Sequence, residues 1–220
     1  MEFKYWLVLT FLGAIWGSAF IFIKIAAPEF GAIGLVQMRL IIASLVFLPI
    51  LLRKKYLILL KPAWKHSLVL AVTNNAIPFT LFSYGSFGAD SNILAILNAT
   101  TAFNTMIIAF IWLREDVTLK QFFGLVLGFI GVIILVNPQS SSTTILAAIL
   151  CLGGAACYSF STVFIQKYSN MTNKMVLIGW SIIFSAVIML PATLFNLPSE
   201  LPSSKAFLSA GWLGTISTGL

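Results

Sequence analysis

The chain has 220 residues, of which 60% are apolar and only 9% charged, against roughly 45 to 50% and about 25% in an ordinary soluble domain. With a mean hydropathy of +1.02 and 19 Phe in long uncharged runs, it carries more apolar surface than one core of this size buries, which excludes a soluble globular domain and indicates a polytopic membrane protein. The formal charge of +7 does not indicate nucleic acid as a partner: the basic residues sit between apolar runs, not among stacking aromatics, as expected of a positive membrane face.

Windows of roughly 20 apolar residues predict helices over Tyr5–Ile23, Ala32–Leu52, Leu68–Phe87, Ser91–Leu113, Leu119–Val136, Ile145–Ile165 and Met175–Phe195, with an eighth starting near Phe207. The first span has no small-residue cleavage site behind a short apolar core and is followed by further spans, so it reads as a retained helix and not a signal peptide. The second contains Arg39, the one charge clearly inside a span. It lies about 10 Å along the helix from the outer end, within reach of Glu29 or Asp90, able to snorkel outward, or placed to attract the carboxylate or phosphate of a substrate.

The third span carries Asn74, Asn75 and Pro78, and the fourth Asn98, Thr101, Asn104 and Thr105, with 98, 101 and 105 on one helical face. Unpaired polar groups in hydrocarbon cost several kcal/mol, so these side chains should face a bundle interior or a water-filled cavity and could hydrogen-bond a polar solute. The competing use is to hold helices together, at about 0.6 kcal/mol each. Gly124, Gly128 and Gly131 in the fifth span have the small-residue spacing of close helix packing. His66, beside Lys65, reads as an interfacial residue of a cytoplasmic loop.

After the fifth span, Asn137-Pro138-Gln139-Ser140-Ser141-Ser142 is the most linker-like stretch, polar with a helix-stopping Pro, and is the candidate boundary between two halves, 1–137 and 143–220. In the sixth span Cys151 and Cys157 differ in helical phase by about 240°, so neither a disulfide nor a metal pair is expected. The eighth helix has room for about 14 residues, or about 21 Å of a roughly 30 Å core, before Leu220. A C-terminally incomplete chain, truncated in the eighth helix, is therefore expected.

Lys4, Arg53, Lys54, Lys55, Lys61, Lys65, Arg114, Lys120, Lys167 and Lys174 fall on one side, which is ten of the 13 basic residues, against Lys24 and Lys205 on the other. That imbalance places the ten-residue side, and the N-terminus, in the cytoplasm. Glu2, Glu29, Asp90, Glu115, Asp116 and Glu200 all lie at span ends or in loops, so no buried carboxylate offers itself as a proton carrier and the energy source stays open. No nucleophile with a base, metal cluster or phosphate loop can be assembled, so neither an enzyme nor a metal or cofactor is predicted.

Gly13-Ala14-Ile15-Trp16-Gly17-Ser18-Ala19-Phe20 near the start of the first half has a counterpart in Gly154-Ala155-Ala156-Cys157-Tyr158-Ser159-Phe160 of the second. Either this is an internal repeat or two apolar helices are alike by chance. As a repeat, five spans per half force the halves into opposite orientations, the inverted architecture of secondary transporters with a substrate site near the midplane. Trp16 and Tyr158 then occupy equivalent places, and aromatic walls with a polar tip suit an amphiphilic substrate.

Trp16-Gly17-Ser18 with Phe20 and Lys24, Arg39-Leu40, Asn98-Ala99-Thr100-Thr101, and Glu115, Thr118, Gln121, Gly124, Gly128 and Gly131-Val132 together resemble the EamA-type members of the drug/metabolite transporter superfamily. The resemblance implies an all-α membrane protein of ten helices in two five-helix repeats, and brings Ser18 into the candidate set beside Trp16. Ala102 departs from it, since the family commonly has Pro after the Thr pair. The expected function is a carrier of a small metabolite, amino-acid-like compound or drug in a bacterial or archaeal cytoplasmic membrane. Its direction, outward, is implied by the resemblance alone. The candidate substrate-binding residues are Trp16, Ser18, Arg39, Asn74, Asn75, Asn98, Thr101 and Tyr158. The alternatives are a non-transporting membrane scaffold or remnant, and a membrane-embedded enzyme acting on lipid, which would need a carboxylate or His cluster at one interface.

Overall fold

The computed structural model describes residues 3–136, 142–169 and 173–219, and every regular element among them is helical apart from an isolated antiparallel bridge between Ala89 and Thr143. Helix α1 runs Phe3–Leu51, 49 residues, more than twice what one crossing needs. It is divided at Gly31, where φ is 70° and ψ 162°, a backbone region that glycine alone enters without strain. The two arms correspond to the first and second predicted spans. The first arm continues beyond Ile23, because Ala26, Ala27 and Phe30 are buried against Ala206, Ala210 and Leu213. Lys24 therefore lies within a helix and not at its end.

The stretch read as a loop around His66 is helical: α2 spans Lys54–Leu70 and passes through a π-helical turn, Ala71–Ala76, into α3, Ile77–Gly88. Tyr56, Leu59, Ala63 and Leu70 recur at helical intervals and pack with Phe164, Val176 and Leu177. A window that counts apolar residues sees the lysines between them and misses an amphipathic helix. His66 stacks on Tyr168 and Phe164 at 4.5 and 5.8 Å between ring centroids.

The fourth predicted span is broken. Helix α4, Ser91–Ala99, is separated by a turn at Thr100 from α5, Thr101–Ile108, which ends in a second π-helical turn, Ala109–Leu113. Ala102 removes the proline but not the interruption: the Thr100 hydroxyl donates to the Leu97 carbonyl at 2.6 Å and the Thr100 N–H reaches the same carbonyl at 3.3 Å. Bonding three residues back tightens the turn and competes with the α-helical ladder. Arg114 closes the segment in the left-handed conformation, φ 56°.

Helix α6, Leu119–Val136, starts in a capping box, in which the Thr118 N–H donates to Gln121 Oε1 at 2.9 Å and the Gln121 N–H to Thr118 Oγ1 at 3.3 Å. The packing role expected of Gly124, Gly128 and Gly131 is corrected here: a Cβ at any of them meets nothing within 4 Å. Their face turns away from every described helix. Asn137 to Ser141 of the predicted linker lie outside the described residues.

Helices α7, Ile145–Tyr168, and α8, Lys174–Leu194, follow the sixth and seventh predicted spans, and α9, Ser204–Trp212, with a third π-helical turn, Leu213–Ser217, follows the eighth. Helices α3 and α7 cross closely. A Cβ on Gly85 would overlap Cys151 Sγ, and one on Gly154 would come within 2.8 Å of the Phe82 ring. Gly13, aligned with Gly154 in the repeat, has nothing within 4 Å of such a Cβ, so the two positions differ in surroundings. Lys4–Leu51, Ser91–Leu113, Ile145–Tyr168 and Lys174–Leu194 are each long and apolar enough to cross a membrane.

Candidate substrate-binding cavity

Helices α1, α3, α4, α5, α7, α8 and the third π-helical turn enclose a cavity of about 340 Å³. Of the eight candidate residues, Trp16, Arg39, Asn74, Asn75, Asn98, Thr101 and Tyr158 line it. Ser18 does not: its hydroxyl donates to the Ile15 carbonyl at 2.7 Å and accepts from Trp212 Nε1 at 3.2 Å. Two residues beyond Trp16 is about 200° round the helix, which turns Ser18 toward α9.

Asn75 and Asn74 lie in the first π-helical turn. The Asn75 amide donates to Ser181 Oγ at 3.0 Å and Ser185 Oγ at 3.1 Å, and Ser185 Oγ donates to the Ala71 carbonyl at 2.8 Å. Asn75 therefore ties the turn to α8, the helix-joining use of a buried amide. Asn74 donates to Asn75 Oδ1 at 3.3 Å, which leaves its own carbonyl oxygen toward the cavity wall. Among the described residues, Asn98 makes no side-chain hydrogen bond, and the Thr101 hydroxyl is buried without a partner. A buried polar atom left unpaired is costly, by roughly 1 to 3 kcal/mol, which singles out the Thr101 hydroxyl, while the half-buried Asn98 amide has its hydrogen-bonding groups free.

The aromatic side is continuous. Tyr158 stacks on Phe82 at 5.9 Å and lies 6.2 Å from Phe79, and Phe20 meets Phe82 at 5.6 Å. Trp16, 59% exposed, stands at the cavity's edge. Arg39 is buried, its guanidinium 3.7 Å from the centre of the Phe79 ring. Its Nε donates to Thr218 Oγ1 at 2.6 Å and one Nη to Ser217 Oγ at 3.3 Å. The expected partnership with Glu29 or Asp90 is thus corrected. Arg39 is turned into the bundle, and both carboxylates hold helix starts instead.

Glu29 accepts from the backbone and side chain of Ser203, the N-cap of α9. Asp90 Oδ2 accepts from the Ser142 N–H at 3.0 Å, and Asp90 Oδ1 is 3.8 Å from Lys24 Nζ. Lys24 also donates to the Ser86 and Ala89 carbonyls at 2.8 and 2.9 Å. The Ser142 N–H, and after it the Lys24 charge, hold the Asp90 carboxyl below the usual carboxylate range. A depressed native value contributes stability that is present above the unfolded value, about 3.9, and is lost as pH falls through the native one. The melting temperature of the purified protein should therefore fall on acidification below about pH 4, and Asp90→Asn should flatten that fall. Parallel curves for the two proteins would show that Asp90 is not the group responsible.

A second recess, of about 320 Å³, lies between α5, α6 and α7, bordered by Glu115 and Gln166, which share a 2.6 Å hydrogen bond. Thr105 lines this recess and not the main cavity. Sequence reasoning missed Phe20, Phe79, Phe82, Ser217 and Thr218 as lining residues. Phenylalanines in an apolar helix carry no signal that tells a cavity wall from a lipid-facing surface.

Long apolar helices gathered round a cavity with aromatic walls and a few polar groups define an integral membrane protein with an internal cavity. Residues 4–137 match the EamA-like transporter family, and the chain belongs to it, in agreement with the drug/metabolite transporter resemblance of its motifs. It is 24% identical over 182 residues to an uncharacterized transporter of Archaeoglobus fulgidus, covering 79% of this chain and 64% of that protein. It is 25% identical over 190 residues to the uncharacterized transporter YvbV of Bacillus subtilis (strain 168), covering 84% of this chain and 61% of that one. The chain thus spans less than two thirds of the length of either relative. A crystal structure of a protein 14% identical to it matches with a TM-score of 0.67, over 96% of this chain and 76% of the other; that likeness concerns the fold alone.

Proposed function

We propose that the protein is a secondary carrier that moves a small metabolite, amino-acid-like compound or drug by alternating access, outward. Its halves, 1–137 and 143–220, would belong to two inverted repeats of a ten-helix architecture. The observation that carries this reading is convergence: Trp16, Arg39, Asn74 and Asn98 from the first half, and Tyr158, Thr162, Ser217 and Thr218 from the second, face one cavity. A scaffold has no need of such a site. A lipid-modifying enzyme needs a carboxylate or His cluster, and among the described residues neither type lines the cavity. The ties of Glu29 to Ser203, and of Asp90 to Ser142 just before the second half, lie at one end of the bundle, and alternating access requires them to part. The charge imbalance of the loops supports a cytoplasmic N-terminus in a bacterial or archaeal cytoplasmic membrane.

The test is solute flux in proteoliposomes holding the full-length protein, screened over amino acids, organic acids and cationic drugs. Asn98→Leu and Tyr158→Phe should each lower flux by about tenfold or more, the loss of roughly 1.4 kcal/mol or more of binding, while keeping the wild-type melting temperature within a few degrees. Unchanged flux in both variants would remove the cavity from the transport path, and absence of flux for every solute would favour the scaffold.

A further inference from the structure

We infer that the cavity selects organic anions, and in particular a monoanion with an aromatic or flat apolar body and no cationic group. This rests on the carrier reading and names its substrate class. Arg39 is the one charged side chain among the residues lining the cavity. Among the described residues it has no carboxylate within ion-pair distance, since Glu29 is bound to Ser203 and Asp90 to Lys24 and Ser142. A guanidinium inside a membrane bundle without a counter-ion is costly, and its usual counterpart is a pathway or a ligand.

The geometry leaves room for that ligand. Arginine has five N–H donors, and Thr218 and Ser217 engage one each, so three remain. The Phe79 ring, with its centre 3.7 Å from the guanidinium carbon, and the two hydroxyls restrain the group, a pre-organisation that suits a carboxylate accepting two hydrogen bonds. Beside it, Tyr158 and Phe82 offer ring faces for the body of the molecule, and the unpartnered Thr101 hydroxyl offers a further polar contact. A ligand ammonium group would instead meet the positive charge of Arg39, with hydroxyl and amide oxygens and ring faces but no carboxylate among the lining residues to offset it. Like charges in a site of low polarisability disfavour one another strongly, which sets both cations and zwitterions below a simple organic acid.

The probes are 3-phenylpropionate, 3-phenylpropanol and 3-phenylpropylamine, which share a body and differ in charge, titrated into the full-length protein in nanodiscs. The acid should bind about tenfold or more tighter than the alcohol, with the amine weakest. Arg39→Gln should bring the acid-to-alcohol ratio to near unity. Arg39→Lys should keep the acid ahead of the amine with a smaller margin, because a point charge lacks the fork. Equal binding of all three by the wild type, or preference for the amine, overturns the inference and leaves the carrier reading standing. Persistence of the acid preference in Arg39→Gln overturns it too, by placing the anion elsewhere. If none of the three binds, the cavity is not a ligand site and both readings fall. Should Arg39→Gln fail to fold, the wild-type ranking and Arg39→Lys decide the matter.

Discussion

Gly85→Leu is expected to destabilise the protein by about 3 kcal/mol, the upper end of what overpacking a filled interior costs. At Gly85 even a Cβ would overlap Cys151 Sγ and lie 3.4 Å from the Ala147 carbonyl, so α3 and α7 must separate to admit a side chain. Those two helices carry Phe79, Phe82 and Tyr158, and their separation would open the aromatic wall. Thermal unfolding in detergent measures the loss, and Gly13→Leu, where nothing stands within 4 Å, serves as the control expected to stay near wild type. Equal shifts in both variants would mean that the α3–α7 crossing is not the tight point. A milder change, Gly154→Ala, should act on the cavity more than on the fold. Its methyl would push the Phe82 ring, itself held between Phe20 and Tyr158.

Lys24→Met should cost about 1 to 2 kcal/mol, because two carbonyls at the end of α3 lose a charged donor, and hydrogen bonds to charged groups contribute roughly 1.5 to 3 kcal/mol before exposure to solvent reduces them. The effect on transport should exceed the effect on stability. Lys24 joins α1 to the end of α3 and, through Asp90, to Ser142, the residue before the second half. Loosening that end shifts the balance between the conformations of a carrier. In proteoliposomes the variant should show altered flux while unfolding only a few degrees below wild type. Unaltered flux with a lowered melting temperature would restrict Lys24 to a structural role.

Much of this architecture is legible in the residues, and the reasons for what is not are specific. Runs of Leu, Ile and Phe mark the crossings because nothing but a helix satisfies the backbone in lipid. Arg39, Asn74, Asn98 and Thr101 stand out because polar groups in those runs must turn inward. Ser217 and Thr218 do not, since a hydroxyl in a helix routinely bonds its own backbone, as Thr215 does to the Gly211 carbonyl at 2.7 Å. The α2 helix escapes an apolar window because its buried face is three or four residues apart among lysines. Gly31 offers no local pattern, and its fold-determining turn is visible only in its backbone angles. The partners of Lys24 and Arg39 are set by contacts across 62 to 65 and 178 to 179 positions of chain, which no local rule anticipates.

The three π-helical turns among the described residues, Ala71–Ala76, Ala109–Leu113 and Leu213–Ser217, have a mechanical meaning. Each wide turn holds one residue more than the α-helical ladder around it, and such turns recur at functional sites. A surplus residue can migrate along a helix one hydrogen bond at a time, without the segment ever melting. Each passage rotates the residues it passes over by about 100° relative to the rest of the helix. Two of these turns carry cavity residues, Asn74 and Asn75 in one and Ser217 in the other. The polar wall of the site is therefore mounted on screw joints, which could re-aim its side chains by twisting while the ends of the helices stay anchored.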